Sequence, residues 1–95
     1  MPETNVKSAP EVQADPATLA LSALSWILAD SARATRMLAL TGLTPDVLRD
    51  AVGERATLAA TLAFLEAYEP DLIAAAEHIG TTPQTLVAAR MDLEG

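Results

Sequence analysis

His78 is the only histidine of the chain, and there is no cysteine. Any metal or acid–base chemistry therefore starts from His78 and the carboxylates. A metal centre needs three or four converging ligands. Glu77 adjoins His78, and neighbours in sequence point apart on a helix, so helical spacing assembles no such set. His78 reads as a residue near a helix C-terminus, where the helix dipole favours it. Ser22 and Ser25 are the candidate nucleophiles, but a serine needs a base within hydrogen-bond reach. No histidine is near them by spacing, so their hydroxyls are expected to bond back onto helix carbonyls. Glu66 and Glu69 stand at i, i+3 and could share a face, but with no partner group they read as a solvated face. No catalytic, cofactor-binding or metal-binding residue is assigned. The chain is expected to be no enzyme and to need no cofactor.

The arginines carry the remaining chemistry. Arg33 and Arg36 share one helix face with Asp30 below them, leaving residues 17–41 at +1, whereas residues 57–79 sum to −4. Such polarisation suits binding another protein or a second copy of the same chain, with Arg33, Arg36 and Arg90 as possible contacts. Arg90 also enters an alternative reading. Ala76, Gly80 and Leu86 match the spacing of a DNA-binding helix-turn-helix, whose recognition helix would offer Gln84, Thr85 and Arg90. Asp92 and Glu94 lie on that same helix, and Glu69, Asp71 and Glu77 precede it. The formal net charge of −7 with a single lysine, Lys7, argues against nucleic acid and against an anionic membrane surface.

The elements that must position these residues are helices. Hydrophobic residues make up 51% of the chain and aromatic ones 3%. Alanine and leucine dominate, both strong helix formers, and no alternating run of β-branched residues appears. The expected fold is all-α: one compact bundle of five or six short helices over residues 16–95, behind a disordered tail at residues 1–15. The first helix, about 16–29, has Asp15 as cap and Pro16 at its first position. It carries no charge over residues 17–29 and apolar residues all round, so it reads as buried on every side. That run is too short to span a bilayer.

Asp30 caps a second helix, about 31–41, which Gly42 stops. Thr44 and Pro45 open a third, with Val47, Leu48 and Ala51 facing inward and Gly53 at its end. A fourth, about 55–68, puts Leu58, Leu62 and Leu65 on one side and Thr57, Thr61, Phe64 and Tyr68 on another. Glu69 and Pro70 open a fifth, ending at Gly80. Thr82 and Pro83 open a sixth, with Leu86, Ala89 and Leu93 inward. An apolar pocket between Trp26, Phe64 and Met37 is a further possibility, sized for a small lipid-like ligand.

The halves resemble each other at an offset of 38. Gly42-Leu43-Thr44-Pro45 matches Gly80-Thr81-Thr82-Pro83, Leu24 matches Leu62, and Trp26 matches Phe64. This is the pattern of an internal repeat of a helix-turn-helix-like unit. The segments Leu24-Ser25-Trp26, Arg36 to Pro45, Leu48-Arg49, Leu58 to Leu65, and the close through Pro83, Ala89-Arg90 and Leu93-Glu94-Gly95 also resemble a family of short alphaproteobacterial proteins, the domain of unknown function number 3572 (DUF3572). The resemblance covers roughly residues 16–95 and implies a small, helical, cytoplasmic protein. It brings no activity, cofactor or site. The functional expectation is a non-enzymatic protein–protein interaction module: a small cytoplasmic adaptor, regulator or homo-oligomer. A helix-turn-helix-like regulator and a small apolar-ligand binder are the alternatives.

Overall fold

The computed structural model describes residues 15–95, so the reading of the preceding residues as a tail lies outside the described residues. Six helices follow: α1 Pro16–Leu28, α2 Ser31–Thr41, α3 Pro45–Ala51, α4 Arg55–Glu66, α5 Glu69–Ile79 and α6 Pro83–Glu94. The described residues contain no strand.

Local chemistry sets most of the boundaries. The carboxylates of Asp15 and Asp30 accept the backbone N–H of Thr18 at 3.0 Å and of Arg33 at 2.9 Å. The hydroxyls of Thr44 and Thr82 accept from Val47 at 3.2 Å and Thr85 at 3.1 Å. Each satisfies a donor that the first helical turn leaves free. Gly42 and Gly80 stop α2 and α5 with φ of 75° and 90°, a conformation that a Cβ disfavours. Gly53 plays no such part: α3 ends at Val52 in the right-handed region.

The core gathers Ile27, Met37, Leu62, Leu65 and Leu86 as its largest fully enclosed apolar side chains. α4 packs on α1, α5 and α6, and α6 packs on both long helices, α1 and α4. α4 is the most enclosed element, burying seven residues, including Thr57, Thr61 and Phe64. The Thr61 hydroxyl donates to the Thr57 carbonyl at 2.9 Å, which removes the penalty of burying it.

Three expectations need correction. α1 is not buried all round. Leu19, Ala20, Ala23, Leu24 and Ile27 face the core, but Leu21 is 44% exposed and Leu28 45%. A domain this small has too few neighbouring helices to wrap one helix completely. Val47 does not face inward either; it is exposed, and Leu48 is the one buried residue of α3. Finally, α4 ends at Glu66. The chain turns at Ala67, and Tyr68 becomes the exposed first cap of α5.

The repeat at offset 38 extends to the element boundaries. α1 ends at Leu28 and α4 at Glu66; Ser31–Thr41 answers Glu69–Ile79; Pro45 answers Pro83. The cap residues Ala29 and Ala67 share φ of −71°. The units part company at their third helices, because α3 has no packing comparable to that of α6 on α1 and α4.

Candidate functional site

All three arginines singled out by the sequence are engaged within the chain. The Arg33 guanidinium lies 3.7 Å from the centroid of the Trp26 ring and donates to the Trp26 carbonyl at 3.4 Å. Its Nε is buried without a partner among the described residues. Arg36 pairs with Asp71 at 2.6 Å, tying α2 to α5, and stands over the rings of Phe64 and Tyr68 at 5.4 and 5.7 Å. Arg90 holds Glu66 on α4 and also Glu94, the latter at 2.7 Å. These bonds, Glu66 first, raise the Arg90 pKa above the usual guanidinium range. Of the other arginines, Arg49 pairs with Asp46 at 2.8 Å and Arg55 donates to the Asp92 carbonyl at 2.6 Å.

The residues that mark the helix-turn-helix spacing are placed as it expects: Gly80 is left-handed, and Ala76 and Leu86 are buried. Its one basic side chain, Arg90, is turned toward Glu66 and Glu94, and the Thr85 hydroxyl is bonded to that of Thr82. The supposed pocket among Trp26, Phe64 and Met37 is not open. Met37 has no exposed surface and Arg33 covers the Trp26 ring.

The fold brings His78 to Ser22 and Ser25, which spacing had kept apart. Together with Ile79 they line a groove of about 320 Å³ between α1 and α5. No hydrogen bond joins the three side chains among the described residues, nor do the serine hydroxyls bond back to carbonyls as expected. Thr41 and Thr61 make that back-bond instead, to Met37 and Thr57. An activated serine needs its base in contact and a third group orienting that base; the groove offers neither contact.

A second groove lies between α2 and α4, lined by Leu40, Thr41, Ala60, Ala63, Phe64 and Ala67. Its four principal residues are those of the first groove moved by 38 positions. Ser22 answers Ala60, Ser25 answers Ala63, His78 answers Leu40, and Ile79 answers Thr41. The two grooves are equivalent at the 38-residue offset, and their chemistry differs. One version carries two hydroxyls and an imidazole; the other is floored by alanine.

The apolar version continues past Phe64 and Ala67 to Tyr68 and Arg36. In the other direction it runs past Ala60 to Ala56, Arg55, Leu93 and Glu94. Leu40 stands on its wall 69% exposed, and Tyr68 at its end 54% exposed. Fully burying a leucine side chain is worth roughly 1.5–3 kcal/mol, so a protein surface leaves much binding energy unused at this wall.

Fold and grooves together define a class: a small all-α bundle built from two helical units, with twin inter-unit grooves of opposite polarity. The chain belongs to the family described as a protein of unknown function (DUF3572), which matches it over residues 13–95. No curated protein and no solved structure matches it.

Proposed function

We propose that this chain is a non-enzymatic protein–protein interaction module of the cytoplasm and that the α2–α4 groove is its docking surface. The difference between the twin grooves supports this reading. Ser22, Ser25 and His78 serve one of them while the helices around it still pack, so folding does not require apolar residues at these positions. Leu40 and Ala63 stand exposed and Ala60 half-buried at the equivalent places, which favours this groove over its polar twin as the docking surface. The cysteine-free sequence is in keeping with a reducing compartment.

The test is affinity capture of the tagged full chain from its native cell extract, read by mass spectrometry, with light scattering on the purified protein. Wild type is compared with Leu40→Glu and Ser25→Glu. The expected result is a stoichiometric protein, either another chain or the same one. It should be retained by wild type and Ser25→Glu and lost from Leu40→Glu. A monomer that captures nothing, or equal loss in both variants, overturns the reading.

A further inference from the structure

We propose that α3 is a hinged flap. It pivots on Leu48 between the open position of the structure and a closed one, in which it packs on α1 as α6 packs on α4.

α3 is the shortest of the six helices and the least secured. It has seven residues and buries only Leu48. Its side-chain bonds stay within the helix and its own cap: Arg49 to Asp46, and the Thr44 hydroxyl to the Val47 amide. Among the described residues no hydrogen bond or ion pair of its side chains reaches another helix. α6, by contrast, is tied to α4 by Arg90 and Glu66, and by Arg55, which donates to the Asp92 carbonyl. An element with few buried contacts and no polar bond to its neighbours opens at low cost. Gly42 and Gly53 flank α3, and a Cβ at either would meet nothing within 4 Å, so no side chain at its two ends blocks a swing.

A cleft of about 300 Å³ separates α3 from α1 and α2. It is lined by Leu28, Leu38, Pro45, Leu48, Arg49 and Val52, and Leu28 stands 45% exposed on its α1 side. The internal repeat shows what covers this face. At the offset of 38, Leu28 answers Glu66 and Val52 answers Arg90, and those two meet across the α4–α6 interface. Leu48 answers Leu86, and both are buried. Ala51 answers Ala89; the latter is buried, whereas Ala51 is only half-buried. The anchoring leucine is thus seated in both units, and the turn after it in only one.

Where α4 and α6 place an ion pair, α1 and α3 place two apolar side chains on one cleft. Bringing Val52 onto Leu28 takes apolar surface of both out of water and reproduces the contact of the second unit. The link of residues 52–54 to α4 is short and opposes that movement, so the gain is offset and both positions are populated.

Spin labels test the movement, and the absence of native cysteine leaves their placement free. One label pair is Ser25→Cys with Asp50→Cys, on α1 and α3. Its twin at the offset of 38 is Ala63→Cys with Ala88→Cys, on α4 and α6. All four positions are exposed. Measured on the full chain by pulsed electron paramagnetic resonance, the α4–α6 pair should give one distance. The α1–α3 pair should give two, the shorter matching that of the twin. Leu28→Glu should abolish the shorter distance, because it sets a carboxylate against Val52. Adding Val52→Arg transfers the ion pair of the second unit and should restore it. Circular dichroism confirms that each labelled chain is folded. A single distance for the α1–α3 pair overturns the proposal. So does a shorter distance that survives Leu28→Glu, or one that Val52→Arg fails to restore.

Discussion

Leu40 and His78 hold the same position in two equivalent grooves, each on the capped helix of one unit facing the long helix of the other. One side chain is apolar and 69% exposed; the other belongs to a polar cluster. The fold therefore accommodates either kind of side chain at equivalent places. Leu40→His together with Ala63→Ser should therefore leave stability within about 0.5 kcal/mol of wild type, the range of ordinary surface changes. Urea denaturation measures this, and a larger loss would mean that the groove residues belong to the core after all.

Leu24 sets the opposite limit. It is 5% exposed at the centre of α1. Leu24→Asp places a carboxylate where nothing can solvate it, and a loss above about 4 kcal/mol is expected. The variant should lose its helical circular dichroism signal and cooperative melt. Native-like melting would show that the core has been misassigned.

The left-handed glycines separate backbone strain from packing. A Cβ at Gly42 or Gly80 would meet nothing within 4 Å, so the cost of alanine there comes only from the positive φ, about 1 kcal/mol each. Gly53 also faces open space and has no positive φ. Gly53→Ala should be neutral or mildly stabilising, because it restricts only the unfolded chain. Thermal melts of the three single variants make the comparison.

Arg90 ties α6 to α4. Its side chain and that of Glu66 are 22% and 24% exposed, so truncation strands a partly desolvated carboxylate. Arg90→Ala should lower stability, read by urea denaturation, because the Glu66 carboxylate loses its partner. Arg49→Ala, removing a pair whose members are 71% and 87% exposed, should cost no more than about 0.5 kcal/mol.

Asp15 gives the N-terminus of α1 a pH dependence. Its pKa is lowered by the Thr18 hydroxyl and then by the Thr18 backbone N–H. A carboxylate held more acidic in the folded state stabilises the fold above its unfolded pKa, about 3.9, and that contribution is lost as pH falls through the folded value. Asp15→Ala should melt below wild type at neutral pH, and the gap should close under acid. Carboxyl NMR titration of Asp15 checks the direction independently.

What the sequence made legible was local. Asp15, Asp30, Thr44 and Thr82 each lie three residues before the amide they bind, and Gly42 and Gly80 act within one turn. Caps, stops and helix order follow from contacts of that range. What it hid was tertiary. The exposure of Val47 depends on α3 lying at the periphery, and the surface on Leu21 depends on how many helices reach α1. The meeting of His78 with Ser22 and Ser25 crosses more than fifty positions, beyond any spacing rule. A signal for the apolar groove was present nonetheless. Aligned at offset 38, Leu40 falls on His78, Ala60 on Ser22 and Ala63 on Ser25.

The twin grooves also set a valency. Only one of them is lined mainly by apolar side chains, so a chain that docks through it, as proposed, has one arm rather than two. Apolar residues in place of Ser22, Ser25 and His78 would give it a second face and let one chain bridge successive partners.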